Sequence, residues 1–208
     1  MRVSSDARRA MTARRVFLLG GALAFAVDIT FAQTAPSKGD PVRGETKVAS
    51  CATCHGNAGR APLAGMPLLA AQPEQYLTLQ MILLREGLRD IPQMAPFLKG
   101  LSDQDVTDIA AYFARQPLPK NEAPRSAERF TRGAALSKGM GCGSCHRADY
   151  SGQNQVPRLA GQREDYLADA LKAYRDNKRV GTDTNMNGIV GHMGAEDMRA
   201  LAHYLAQQ

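Results

Sequence analysis

Cys51-Ala52-Thr53-Cys54-His55 recurs as Cys142-Gly143-Ser144-Cys145-His146, 91 residues further along the chain. The likeness continues beyond the cysteines. Pro67-Leu68-Leu69-Ala70-Ala71-Gln72 returns as Pro157-Arg158-Leu159-Ala160-Gly161-Gln162 at an offset of 90, as do Tyr76-Leu77 (Tyr166-Leu167) and Arg85 (Arg175). The stretch from Asp105 to Tyr112 returns as Asp197 to Tyr204 at an offset of 92. Order and spacing hold with slips of one or two residues, which makes the chain two copies of one unit. Between the copies lies Gln116–Arg125, whose Pro117, Pro119 and Pro124 disfavour regular structure and suit an extended linker. The expected layout is therefore a first domain over 33–115, a linker over 116–125 and a second domain over 126–208.

Each copy reads as helices joined by loops, with no alternating apolar and polar run long enough for a sheet, so the expected fold is all-α. In copy one a short helix is predicted near Pro41–Ala49 and a second after Pro73, carrying Tyr76, Leu77, Leu79, Gln80, Leu83 and Leu84. The third is the clearest. Ser102 with Asp105 three residues on resembles a capping box, and Val106, Ile109, Ala110 and Phe113 recur at helical spacing before Pro117. Copy two repeats it from about Gly194 with Met198, Leu201, Ala202 and Leu205. A unit of some 85 residues with few aromatics and no Trp buries little apolar surface by itself, so a large bound apolar group would stabilise it.

Of 208 residues, 44% are hydrophobic and 22% charged, which argues against wholesale disorder and against a multi-span membrane protein. The net charge of +6 is unevenly spread. Residues 1–32 hold five Arg and two acids, residues 33–124 nine of each sign, and residues 125–208 twelve basic and nine acidic. Half the excess therefore sits in the N-terminal segment, and no Lys/Arg block suited to a phosphate backbone remains; nucleic acid is not an expected partner. In that segment five arginines precede an apolar run from Val16 to Val27, too short to span a bilayer, followed by Thr30-Phe31-Ala32. This is the order of a secretory signal peptide over 1–32, with cleavage expected after Ala32 and export to the periplasm. Arg14-Arg15 is compatible with either of the two bacterial export routes.

All four cysteines fall in the two Cys-x-x-Cys-His units. Disulfides would each staple a loop too short to need one. A zinc site would want its second pair 15 to 20 residues away rather than about ninety. A thioredoxin-like redox pair would need a βαβ context and leaves the His unexplained. Covalent haem attachment accounts for every residue: two thiols add to the two vinyl groups, and the adjacent His binds the iron. The expected cofactors are two haem c groups, held by Cys51 and Cys54 and by Cys142 and Cys145, with His55 and His146 as axial ligands. Eight residues before Ser102 stands Met94, and eight before the equivalent Gly194 stands Met186; each is expected in a loop before the last helix and supplies a soft sixth ligand. Met66, Met81, Met140, Met193 and Met198 read as core, while Met193 and His192 lie close enough to Met186 that a slipped loop offers either as an alternative. Pro67 and Pro157 follow their histidines by twelve and eleven residues, where a returning loop either offers a carbonyl to the imidazole or is plain punctuation. Tyr76, Tyr166, Arg85 and Arg175 either meet across the copies and at haem carboxylates or serve as core and solvated surface.

With these motifs, with Arg89-Asp90-Ile91-Pro92-Gln93-Met94-Ala95-Pro96 and with the helix starting at Leu101-Ser102-Asp103, the chain resembles the dihaem class I cytochromes c of the cytochrome c-four type over its whole mature length. The resemblance implies two tandem class I cytochrome c domains packed as a pseudo-twofold pair, with His/Met ligation at both haems. It also implies a periplasmic electron carrier, soluble or loosely membrane-associated, that takes electrons from a quinol-oxidising complex or a dehydrogenase and passes them to an oxidase or reductase. Thr184-Asn185-Met186-Asn187-Gly188-Ile189 departs from the Met-x-Pro form of Met94-Ala95-Pro96. The expected activity is outer-sphere electron transfer without catalysis, with the positive residues Arg175, Lys178 and Arg179 facing one partner. The rival is a dihaem enzyme, or a haem subunit of a dehydrogenase, in which one iron is open or carries a displaceable ligand.

Overall fold

The computed structural model describes residues 38–179 and 185–208; the expected signal segment 1–32 and Thr184 lie outside them. Ten α-helices and one 3-10 turn make up the described residues, which contain no strand beyond a single bridge between Gln153 and Val156. Copy one comprises α1 (Pro41–Glu45), α2 (Ala52–His55), α3 (Glu74–Arg85), α4 (Ala95–Leu98) and α5 (Asp103–Ala114). Copy two comprises α6 (Ala127–Gly139), α7 (Cys142–His146), α8 (Glu164–Arg175), α9 (Asn185–Val190) and α10 (Ala195–Ala206).

The last helix of each copy is its core. In α5 the Ser102 hydroxyl accepts from the Asp105 N–H while the Asp105 carboxylate accepts from the Ser102 N–H, a complete capping box. Val106, Ile109, Ala110 and Phe113 are buried on one face of α5, as are Met198, Leu201, Ala202 and Leu205 on α10. The first helix crosses this core helix in each copy, and both crossings turn on a glycine. A β-carbon on Gly44 would strike the Asp108 carbonyl and the Tyr112 Cβ; one on Gly133 would strike the equivalent Ala200 carbonyl and Tyr204 Cβ. Only glycine lets the two backbones touch. The crossing helix of copy two, α6, runs thirteen residues with Ser126 as its N-cap and is absent from the sequence reading, whereas α1 is only five residues and ends earlier than Ala49.

Between Ala114 and Ala127 the chain is not helical, and the linker is tied to the end of α10. Asn121 Nδ2 donates to the Ala206 carbonyl at 2.6 Å, and the Ser126 N–H donates to His203 Nε2 at 3.0 Å. The described residues belong to one compact unit, and the two copies meet through a reciprocal polar contact. Gln162 accepts from the Leu68 N–H (2.8 Å) and donates to the Leu68 carbonyl (3.0 Å). Gln72, its equivalent, accepts from the Arg158 N–H (3.0 Å) and donates to the Arg158 carbonyl (2.9 Å). Since Leu68 and Arg158 are themselves equivalent, the interface is self-complementary, as a twofold requires. Both glutamines are buried, so each fork satisfies polar groups that water does not reach.

Candidate functional site

The two short motif helices place their chemistry on one face. Positions i, i+3 and i+4 share a helix surface, so Cys51, Cys54 and His55 point together, as do Cys142, Cys145 and His146. Gly56, at φ 71°, ends α2 at once; Arg147, at φ 68°, makes the same left-handed exit from α7 without glycine's freedom. Both histidines are buried, at 5% and 6% exposure. His55 Nδ1 lies 3.2 Å from the Pro67 carbonyl and His146 Nδ1 lies 2.9 Å from the Pro157 carbonyl. A carbonyl only accepts, so Nδ1 carries the hydrogen in each ring and the lone pair resides on Nε2. Burial lowers the pKa of His55 and outweighs the opposing pull of the Pro67 carbonyl, which favours the neutral, ligating form. Burial likewise raises the Cys51 and Cys142 thiols, partly offset by the Ser50 and Ser137 hydroxyls.

The four cysteines and both histidines line one cavity of about 570 Å³ that extends through both copies. Its apolar wall is built from equivalent positions: Leu77 and Leu167, Ile109 and Leu201, Phe113 and Leu205. Met94 and Met186 line it as well. Met94 caps the start of α4, its N–H bonded to the Ile91 carbonyl (2.9 Å) and Pro96 in the first turn. Met186 lies in the helix α9, not in a loop as the sequence suggested. There the Asn187 amide replaces the proline: Nδ2 donates to the Tyr174 carbonyl at 2.7 Å and to the Arg179 carbonyl at 3.2 Å, fastening α9 to the end of α8. Met193 is buried in the core, as its core reading expects, and neither it nor the exposed His192 lines the cavity. Met66, Met81 and Met140, read as core, also border the cavity.

The repeated Tyr and Arg residues separate into two groups. Arg85 ties the end of α3 to the start of α5, donating to the Leu101 carbonyl and to Asp103, and Arg175 pairs with Asp176. Neither lines the cavity. Tyr76 and Tyr166 do, and Arg179 reaches both, at 3.0 and 3.5 Å from their hydroxyls. Arg179 is itself a lining residue of this cavity. Burial opposes ionisation of Tyr166, but the Arg179 and Arg89 charges outweigh it and bring the phenol down to about 8.

The donor set fits haem c: paired thiols beside a backbone-tethered neutral imidazole, a methionine in the same apolar cavity, and this arrangement twice. No group of three or more His, Cys, Asp or Glu side chains that could hold a metal ion occurs among the described residues, and the cysteines are not disulfide-bonded.

The chain is similar to several known proteins. The family model described as "Cytochrome c" matches residues 130–208, and that described as "Cytochrome C oxidase, cbb3-type, subunit III" matches residues 44–113. The chain is 35% identical to cytochrome c4 of Pseudomonas aeruginosa over 82% of its own length and 90% of that protein. It is 31% identical to a thiosulfate dehydrogenase electron acceptor of Thiomonas intermedia, covering 97% and 94% of the two chains. The crystal structure of reduced recombinant cytochrome c4 from Pseudomonas stutzeri superposes with a TM-score of 0.75 at 32% identity, over 81% of this chain and 98% of that one.

Proposed function

The chain belongs to the dihaem cytochrome c4 family and carries two covalently bound haem c groups, and on that premise we propose how its own residues hold the haems and what the protein serves. Cys51 and Cys54 would hold one haem and Cys142 and Cys145 the other; His55 with Met94, and His146 with Met186, would ligate the irons. The observation that carries this assignment is the paired geometry in one cavity: a carbonyl-tethered imidazole, two thiols and a methionine at equivalent positions of both copies.

When bound, haem supplies a one-electron ferric/ferrous couple. The chain contributes the rest. The Pro67 and Pro157 carbonyls hold the imidazoles in one tautomer and orientation. Methionine as a soft neutral donor favours the reduced state and raises the potential. The leucine, isoleucine and phenylalanine wall keeps water from the metal, which keeps the reorganisation accompanying each transfer small. Arg89 and Arg179, rather than Arg85 and Arg175, offer positive charge to the haem carboxylates. With both irons capped, the protein passes electrons by outer-sphere transfer and catalyses no reaction of its own.

We place it in the periplasm, delivered by the segment 1–32, between a quinol-oxidising complex or dehydrogenase as donor and an oxidase or reductase as acceptor. The likeness to a thiosulfate dehydrogenase electron acceptor supports a dehydrogenase as one donor class. No helix among the described residues is long and apolar enough to cross a membrane. The test is a haemochrome count per chain on the exported protein, with visible spectra of the dithionite-reduced form before and after carbon monoxide. Two haems and an unchanged spectrum are expected. Carbon monoxide binding at one haem would overturn the double His/Met assignment and favour an enzyme with an open iron.

A further inference from the structure

The interface glutamines and the tethered histidines share the same peptide groups. The Pro67 carbonyl that accepts from His55 Nδ1 and the Leu68 N–H that donates to Gln162 Oε1 belong to one peptide unit. In the other copy, the Pro157 carbonyl that accepts from His146 Nδ1 and the Arg158 N–H that donates to Gln72 Oε1 belong to one peptide unit as well. Each imidazole is thus linked, through a single amide, to a buried glutamine of the opposite copy.

We infer that Gln162 and Gln72 are positioning residues that tune the haem iron of the opposite copy through this relay. The inference rests on His55 and His146 being axial ligands. An amide whose N–H is hydrogen-bonded carries more negative charge on its carbonyl oxygen, because the two ends are conjugated and bonds in a chain polarise one another. A more negative Pro67 oxygen pulls harder on the His55 Nδ1 hydrogen, makes Nε2 more basic, and favours ferric iron. The second arm of the fork, from Gln162 Nε2 to the Leu68 carbonyl, holds this residue on its other side and fixes the direction of the Pro67 oxygen. Removing the glutamine therefore raises the potential of the haem in the copy that does not contain it. A residue that merely glues the copies together would disturb both haems, or neither.

The experiment uses the full dihaem protein with Gln162→Met and Gln72→Met, which keep side-chain volume but remove both arms. Potentials are measured by titration, with the two haems told apart by their paramagnetic proton resonances. Gln162→Met is expected to raise the potential at the Cys51/Cys54 haem alone, and Gln72→Met that at the Cys142/Cys145 haem alone. In the ferrous state, the His55 Nδ1–H resonance should move upfield in Gln162→Met. Gln162→Glu, which still accepts from the Leu68 N–H, should move it downfield, and this comparison decides the matter if the methionine variant does not assemble. Equal shifts at both haems, no shift, or resonances that move the same way in both variants would overturn the inference. Failure of the underlying ligand assignment would show differently, as a parent protein lacking low-spin His/Met spectra, and would remove the relay with it.

Discussion

Asp108→Ala is expected to destabilise copy one by about 3 kcal/mol at neutral pH. The Asp108 side chain on α5 has no exposure and accepts from five donors: the Asp40 N–H (2.8 Å), Arg43 Nε and Nη2 (both 2.9 Å), Lys47 Nζ (3.0 Å) and Gln104 Nε2 (2.9 Å). These bonds tie the entry of α1 to the core helix. Arg43 and Lys47 are partly exposed and retain Asp40 and Asp105, so solvent screening limits their share of the loss, which is the share that protonation of Asp108 in acid removes. What is not recovered is the Asp40 N–H left without an acceptor, about 1–3 kcal/mol, together with the packing of a buried side chain, roughly 1 kcal/mol. The Arg43 hydrogen bond, against the opposing effect of burial, holds the Asp108 carboxyl well below the usual carboxylate range. A depressed native pKa stabilises fully above the unfolded value, about 4, and the contribution falls away as pH drops towards the native one. Urea unfolding of the dihaem protein, followed by far-ultraviolet circular dichroism from pH 7 to pH 3, should therefore show a difference between parent and variant that is constant above about pH 5 and shrinks below about pH 4. A loss under about 1 kcal/mol at pH 7, or one that persists unchanged in acid, would refute the reasoning.

Two further substitutions test the frame around the site. Gly133→Val drives its β-carbon into the Ala200 carbonyl and the Tyr204 Cβ, and a cost of about 2–3 kcal/mol should lower the melting temperature by roughly 5–10 °C; an unchanged Tm would mean that the helices cross with more room than the structure gives them. His203→Leu removes both the acceptor for the Ser126 N–H and the donor to Glu164 (2.7 Å), at about 1–3 kcal/mol. Amide exchange at the start of α6 should accelerate, and unaltered protection there would show that the cap does not depend on His203.

Much of this molecule is readable from one dimension. The two Cys-x-x-Cys-His units state the cofactor and its number, because thiol and imidazole spacing on a helical turn is local geometry. The capping box at Ser102 and the 3.6-residue spacing of Val106, Ile109, Ala110 and Phe113 place α5 with its correct face inward for the same reason. The carbonyls of Pro67 and Pro157 were legible only as loops at a repeated distance. Gly44 and Gly133 carry a signal of their own in the sequence: a glycine within a helix is costly unless another backbone needs the space. Arg85 and Arg175 recur as faithfully as Tyr76 and Tyr166, yet only the tyrosines reach the cavity. Recurrence marks a shared fold position without saying whether its side chain points at the site.

The sequence by itself determined the repeat, the helical class, the haem-binding chemistry and the methionines at equivalent positions, all of which depend on residues close together in the chain or on comparison of one copy with the other. Only the tertiary structure decided that Arg179 turns into the cavity, that Met186 is held in a helix by Asn187, and that Gln72 and Gln162 grip each other's copies beside the carbonyl-tethered imidazoles. Those facts depend on contacts between residues up to about a hundred positions apart. Such contacts arise from the mutual burial of two similar surfaces, and no local spacing encodes which groups will face one another when they close.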